Sequence, residues 1–379
     1  MMLCVYCGEN KNEDEATREH VIPRSIGGNL IPDNPFILTR VCKRCNNVCG
    51  TYVDAEYTKS VFANGYIAAA YWKQADIRTN PTLPLTFMGR ETTIVSPDGR
   101  VCDMWLGPTG DKICHFHHPY PSGLLTPPTI ELLSFKRYPS IDRGYAILFF
   151  RTNNPEWYHT VIHSFINKFK KSDLYFGSGP NLGDPFKDIP LELREFHQYL
   201  LDYDEPHTLR LELDPNSGAR FMAKIALGLG ALFLNDSFAL SKSANNLRSM
   251  MWSKDAKERG SIAVRGAGMF SEQTKFLDWF GWDKTHIILM NIADTTLFLS
   301  TILFGEEKRI ICMSNDPTHW QGKMDKEMIY VIAPFLQAYV GPLDIGEYVG
   351  WKDNAMPSPR LDALKERMDA RPPAPPFMI

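Results

Sequence analysis

Cys4-Val-Tyr-Cys7 and Cys42-Lys-Arg-Cys45 are two Cys-x-x-Cys pairs with 34 residues between them. Four thiolates in that pattern form a closed tetrahedral Zn²⁺ site, and its binding energy becomes folding energy. A segment of about 60 residues has little core of its own, and a structural metal is a usual remedy. The chain has eight cysteines, and Cys49 also lies in this segment; it is expected to be a packing residue, not a ligand. Such crowding points to metal and not to a disulfide framework. Between the pairs stand Glu19-His20 and, further on, Asn34; Asn46 follows the last cysteine of the second pair. A carboxylate beside an imidazole offers an oxygen ligand for a hard divalent cation and a base that works near neutral pH. An Asn carbonyl offers a second oxygen. A lone Glu-His pair is more often a solvated acid beside a surface histidine, so the set matters and not the pair.

The elements that must position these groups are short. The zinc pins the two ends of a loop that carries Glu19, His20 and Asn34, and a helix is expected over 51–73. Beyond it, alternation predicts strands over 83–87, 92–96 and 101–106, with a turn at Pro97-Asp-Gly99. Residues 117–128 read as a Pro-rich connection. Further strands are expected over 145–150, 208–213, 285–291, 296–303 and 309–313. Helices are expected over 156–171, 219–234 and 325–339, with a Gly/Pro/Asn loop over 177–190. A last helix is signalled by Ser358 as N-cap and Pro359 at its first position.

The N-terminal set resembles the HNH endonuclease family, whose pattern is Cys-x-x-Cys, Asp/Glu-His-(Ile/Val)-x-Pro, Gly-Gly, Asn, and Cys-x-x-Cys-(His/Asn). Glu19-His20-Val21-Ile22-Pro23, Gly27-Gly28, Asn34 and Cys45-Asn46 match it in order, over residues 1–60. The resemblance implies a zinc-knuckle ββα-metal fold in an H-N-N variant, with Asn46 where many members carry histidine. It implies His20, on the first strand, as the general base that activates water against a phosphodiester. Glu19 and Asn46 would ligate a catalytic divalent ion, and Asn34 would hold the His20 imidazole or its loop through a backbone contact. Asn29 and Asn47 are the alternatives for the two Asn positions. An Asn oxygen is a harder and weaker ligand than imidazole, which favours Mg²⁺ or Mn²⁺ there, beside structural Zn²⁺ at Cys4, Cys7, Cys42 and Cys45.

The implied fold class is α+β: a small zinc-stabilised ββα-metal nuclease domain over 1–60, then a larger mixed α/β domain over 61–370. A Pro-rich tail over 371–379 is expected to be flexible. The implied function is metal-dependent hydrolysis of DNA, with a role in restriction or phage defence by analogy with HNH modules fused to larger regions. The larger region would then supply target choice, homo-oligomer formation or control. The alternative is a non-catalytic zinc-knuckle protein that binds nucleic acid or acts as a sensor.

The composition of the whole 379-residue chain limits these readings. Lys+Arg total 41 against Asp+Glu 44, a formal charge of −3, which excludes a wholly basic nucleic-acid binder. The first residues lack the basic, apolar and cleavage regions of a secretory signal, and no membrane partner is expected; the protein is expected to be cytoplasmic. Arg24, Arg40, Lys43 and Arg44 are candidate phosphate contacts. Lys242, Arg248, Lys254, Lys257, Arg259 and Arg265, with Trp252 and Phe270 nearby, form either a nucleic-acid track or a solvated face. Cys114-His115-Phe116-His117-His118 and the pair His159 and His163 are weaker metal candidates. Gly228-Leu-Gly230, in an apolar run that contains Lys224, reads as a close helix-packing site and not as a dinucleotide fingerprint.

Overall fold

In a computed structural model the chain is described over residues 1–58, 60–75, 82–118, 144–151, 155–179, 186–210, 217–253, 265–268, 271–324 and 326–370. The first cysteine pair lies in the turn between two short paired strands, β1 (Met2–Leu3) and β2 (Asn10–Lys11). β3 (Ala16–His20) and β4 (Ile37–Cys42) are antiparallel, with His20 opposite Ile37 and Ala16 opposite Cys42. β4 runs directly into α1 (Lys43–Cys49), whose N-cap is Cys42. Its sulfur accepts from the Cys45 N–H at 3.5 Å, so the second cysteine pair is also the start of a helix. A wide i→i+5 turn over Gly50–Asp54 leads into α2 (Ala55–Thr58). This is the strand–strand–helix layout that the resemblance implies. The loop between β3 and β4 turns inward on Val21, Ile22, Ile26, Ile31 and Phe36, all buried. Its two glycines are required: Gly27 has φ +88°, and a Cβ on Gly28 would lie 1.7 Å from the Ile22 carbonyl oxygen.

The next part of the chain forms its own unit, Lys59–Leu213. α3 (Val61–Gln74) is followed by the antiparallel strands β5 (Thr86–Glu91), β6 (Val101–Leu106), β7 (Lys112–His117) and β8 (Tyr145–Phe149). α4 (Pro155–Phe169) then crosses over to β9 (Asp173–Ser178), which is parallel to β8. After α5 (Leu191–Asp202) the short β10 (Leu209–Arg210) closes a six-stranded sheet in the order β10-β5-β6-β7-β8-β9. Alternation along the strands divides two cores. Cys102, Met104, Cys114 and Phe116 pack with Phe196 and Leu200 of α5. Trp105, Ile113 and Leu148 pack with Val161, Phe165 and Phe169 of α4.

The second unit joins Met1–Thr58 with Asp214–Pro372. It continues with α6 (Ser217–Phe233), α7 (Lys242–Trp252), β11 (Gly266–Ala267), β12 (His286–Ala293), β13 (Thr296–Leu303) and β14 (Glu307–Ser314). β15 (Met328–Ala333), β16 (Ala338–Asp344), α8 (Ile345–Lys352) and α9 (Pro359–Asp369) complete it. The sheet is antiparallel, in the order β11-β14-β13-β12-β15-β16. One face, with Ile287, Leu289, Ile302 and Val331, packs against Tyr348 of α8 and Leu361 and Leu364 of α9. The other receives α6 and the N-terminal segment. The Thr301 hydroxyl donates to Met222 Sδ, and Phe36 meets the Tyr330 ring edge-on at 5.1 Å. With both faces covered, consecutive residues Ile287–Met290 are all buried.

This differs from a division at residue 60. Residues 214–372 pack with 1–58 in one unit and 59–213 form the other, because the short N-terminal segment buries its apolar loop on the sheet of 286–344. Four local expectations also change. Where a helix is expected over 325–339, the described residues hold β15 and the start of β16; the run Met328-Ile-Tyr-Val-Ile-Ala333 is rich in β-branched residues and paired on both edges. Residues 92–96 form no strand, and β5 starts at Thr86 rather than 83. Ser358 is at the N-cap position, yet its hydroxyl donates to Glu347 Oε1 at 2.8 Å instead of capping. Most of the Pro-rich connection (119–128), part of the 177–190 loop, residues 211–213 and the 371–379 tail lie outside the described residues. Among the described residues no helix is long and apolar enough to cross a membrane.

His286 joins this sheet to the N-terminal loop. It accepts from the Phe304 N–H on Nδ1, so Nε2 carries the proton and donates to the Ile26 carbonyl at 3.0 Å. Burial lowers its pKa to about 4. The unfolded chain takes up this proton below about pH 6.5, whereas the folded chain resists until about pH 4. Between those values the residue is expected to cost up to about 3 kcal/mol of stability. Thermal melts at pH 7 and pH 4.5 should differ less in His286→Gln than in the wild type.

Candidate nuclease site

The sulfurs of Cys4, Cys7, Cys42 and Cys45 all lie within 4.8 Å of one another. Among the described residues this is the only group of three or more His, Cys, Asp or Glu side chains able to hold a metal. The Cys42 N–H donates to Cys4 Sγ at 3.3 Å. The hydrogen bond from Cys45, then those from backbone N–H groups, outweigh burial and bring the Cys4 thiol down to about 4. Cys7 is pushed up to about 11, chiefly by burial, and Cys45 is raised, first by its bond to Cys4. Four crowded thiols ionise together only with a cation among them, and the set fits a structural Zn²⁺. Cys49 is buried outside this group; its thiol is raised by burial and by the Asp54 carboxylate.

Glu19 and His20 end β3. Glu19 is buried, its Oε1 2.8 Å from Lys224 Nζ and accepting from the Tyr6 hydroxyl at 3.3 Å. No partner among the described residues falls to Oε2. His20 is partly exposed, with Nδ1 buried and without a hydrogen-bond partner. Burial, then the Arg24 cation, lower its pKa; a backbone group of Gly28 and the Glu19 carboxylate offset this only in part. The shift favours the neutral imidazole, the state a base needs. Asn34 Nδ2 donates to that same Gly28 residue's carbonyl at 2.6 Å, and Asn34 Oδ1 accepts from the Phe36 N–H at 2.9 Å. Asn34 thus reaches His20 through a backbone group.

Asn46, on the first turns of α1, lies along β3. Its Nδ2 donates to Thr17 Oγ1 at 3.0 Å and to the Arg18 carbonyl at 3.2 Å. With both amide protons spent on the strand, the orientation of Oδ1 is set and its lone pairs are left over. Glu19 and Asn46 carry hard oxygen donors of the kind Mg²⁺ or Mn²⁺ takes, and Asn46 bonds to Thr17 and Arg18, the strand residues just before Glu19.

Residues 4–62 match the family model described as HNH endonuclease. No curated protein and no solved structure matches the chain. The N-terminal segment is an HNH endonuclease domain with a zinc-knuckle cluster, and a larger mixed helix-and-sheet region follows it.

Sequence reading missed Lys224, Asp54 and Tyr6, which surround Glu19. Burial pushes Asp54 up to about 6 despite the Lys224 cation beside it. The signal was a single lysine inside an apolar helix, since a buried ammonium demands carboxylate partners. The basic stretch at 242–265 also reads differently. Arg248 is buried and donates to the Val5 and Ala239 carbonyls, while Trp252 Nε1 donates to the Tyr6 carbonyl at 2.8 Å. These two side chains hold the first cysteine pair in place and are not a nucleic-acid track; Lys254, Lys257, Arg259 and Phe270 lie outside the described residues. Arg40 is engaged by Asp236 and the Ala231 carbonyl, leaving Arg24, Lys43 and Arg44 exposed for phosphate. His117 bonds Asp103 and His115 bonds Ser172, with Cys114 on the opposite face of β7, so these form no common metal site. Gly228 is the close-packing site expected: a Cβ there would lie 2.7 Å from Val21 Cγ2.

Proposed function

We propose that this protein is a divalent-metal-dependent endonuclease that hydrolyses DNA phosphodiesters. His20 is the general base, Glu19 and Asn46 hold the ion, and Asn34 fixes the His20 loop through Gly28. The observation that supports this best is the placing of His20 at the end of β3, with Asn34 bonded to the Gly28 carbonyl of its loop and Asn46 bonded to Thr17 and Arg18 of the same strand. When bound, the divalent ion supplies positive charge to the phosphorane and to the leaving 3′-oxygen. The neutral imidazole accepts the proton of the attacking water. Exposed Arg24, near the imidazole, meets a phosphate oxygen and repels a proton from His20. A place in restriction or phage defence accords with a small nuclease module joined to a larger region, and plaque counts on cells with and without the active protein test it.

The direct test is cleavage of duplex DNA, single-stranded DNA and RNA with and without Mg²⁺ and Mn²⁺. Because His20 must be unprotonated and its pKa is lowered, the rate is expected to rise with pH along a limb centred below pH 6.5 and to be level at pH 7. A limb centred above pH 7 would contradict the base assignment. One observation favours the non-catalytic zinc-knuckle reading: Lys224 already neutralises the buried Glu19 carboxylate. Ion-dependent cleavage of none of the three substrates would support that reading.

A further inference from the structure

Lys224 is fully buried in the middle of α6, and its Nζ meets four oxygens. They are Glu19 Oε1 at 2.8 Å, the His20 carbonyl at 2.9 Å, the Val21 carbonyl at 3.1 Å and Asp54 Oδ2 at 3.2 Å. An ammonium that only balanced buried carboxylates would need Glu19 and Asp54 alone. Two of its partners are instead the backbone carbonyls at and just after the base, 204 and 203 residues away in sequence. The helix can come this close because Gly228, one turn on, leaves room for the Val21 side chain.

We propose that Lys224 is a positioning residue of the nuclease site: it clamps Glu19 through Oε1, leaving Oε2 for the divalent ion, and fixes the backbone that carries His20. This rests on Glu19 being a ligand of that ion. It places part of the site's organisation in α6, outside the HNH segment. Two effects of the ammonium oppose each other. Its charge repels a divalent ion, while its bonds hold the ligand in one rotamer. Outer-shell partners of metal ligands typically account for 10- to 100-fold in affinity, and the double grip on side chain and backbone makes orientation the larger effect.

The test is Mn²⁺ binding to the full-length, zinc-loaded chain, followed by electron paramagnetic resonance, with zinc content and melting temperature recorded for each variant. Lys224→Met is expected to keep its zinc and to bind Mn²⁺ about 10- to 100-fold more weakly, as is Glu19→Gln. Asp54→Asn, which removes a partner of Lys224 but leaves its grip on Glu19, is expected to bind as the wild type does. Unchanged or tighter Mn²⁺ binding in Lys224→Met overturns the proposal, and so does an equal loss in Asp54→Asn, which would make the cluster a merely structural one. Should Lys224→Met lose zinc or its melting transition, Gly228→Ala decides. It shifts α6 from Val21 without altering charge, so weaker Mn²⁺ binding with zinc retained supports the proposal and unchanged binding overturns it. Unchanged binding in Glu19→Gln removes the ligand assignment itself, whereas a loss there with none in Lys224→Met removes only the role of Lys224.

Discussion

His20→Ala is expected to lower divalent-ion-dependent DNA cleavage by about 10²- to 10⁴-fold, the range for removal of a general base. The imidazole is held neutral by burial and by Arg24. Its loop is held by Asn34 through the Gly28 carbonyl. Nothing in the zinc cluster or in the sheet depends on the ring, because the Lys224 contact at this residue is to its backbone carbonyl. The variant should therefore keep its zinc and melt at the wild-type temperature or slightly above it. A slight gain is expected because the buried, unpartnered Nδ1 is removed with the ring. Single-turnover cleavage beside a melting curve checks both halves. Wild-type cleavage in a folded His20→Ala protein would exclude His20 from the reaction.

Loss of the zinc should have the larger effect on stability. Cys42→Ser removes one thiol of the cluster but leaves a hydroxyl that can still cap α1, so the loss it reads is that of the metal. Structural zinc in small knuckle modules contributes on the order of 10 kcal/mol of apparent binding energy. That energy does not stay in residues 1–58. Arg248 and Trp252 of α7 end on the Val5 and Tyr6 carbonyls, and Arg220 of α6 pairs with Glu56 at 2.6 Å. Tyr57 donates to Glu307 on β14 and stacks on Phe221 of α6 at 3.9 Å. Calorimetry of the full chain is expected to show the transition of the unit formed by 1–58 and 214–372 fall sharply on zinc removal or in Cys42→Ser. The transition of the 59–213 unit should stay in place. If both transitions moved together, or neither moved, the zinc would not be a support of that one unit.

The Cys-x-x-Cys spacing, the Glu-His doublet and the glycines were legible because each reflects a local demand. A knuckle needs its two sulfurs two residues apart, and the Gly27-Gly28 turn excludes side chains by direct collision with backbone and Pro334. Strand runs such as 296–303 were legible for the same reason. The 325–339 run was not, since a short apolar segment buried on both faces has no periodicity to separate strand from helix. Arg248 and Trp252 were read as surface groups because basic and aromatic residues in a polar helix look the same whether they face solvent or a neighbouring carbonyl.

By itself the sequence determined the composition of the metal cluster, the order of strand, strand and helix around it, and which carboxylate, imidazole and amides stand near one another along the chain. Only the tertiary structure decided that residues 214–372 complete that module, that Glu19 and Asp54 share the Lys224 ammonium, and that Asn46 turns its amide protons onto β3. The reason is range. Spacing and backbone sterics act over a few residues and leave their mark in the local pattern. A buried ammonium brought to a carboxylate from more than 200 positions away is selected by packing and desolvation, which no window of sequence contains.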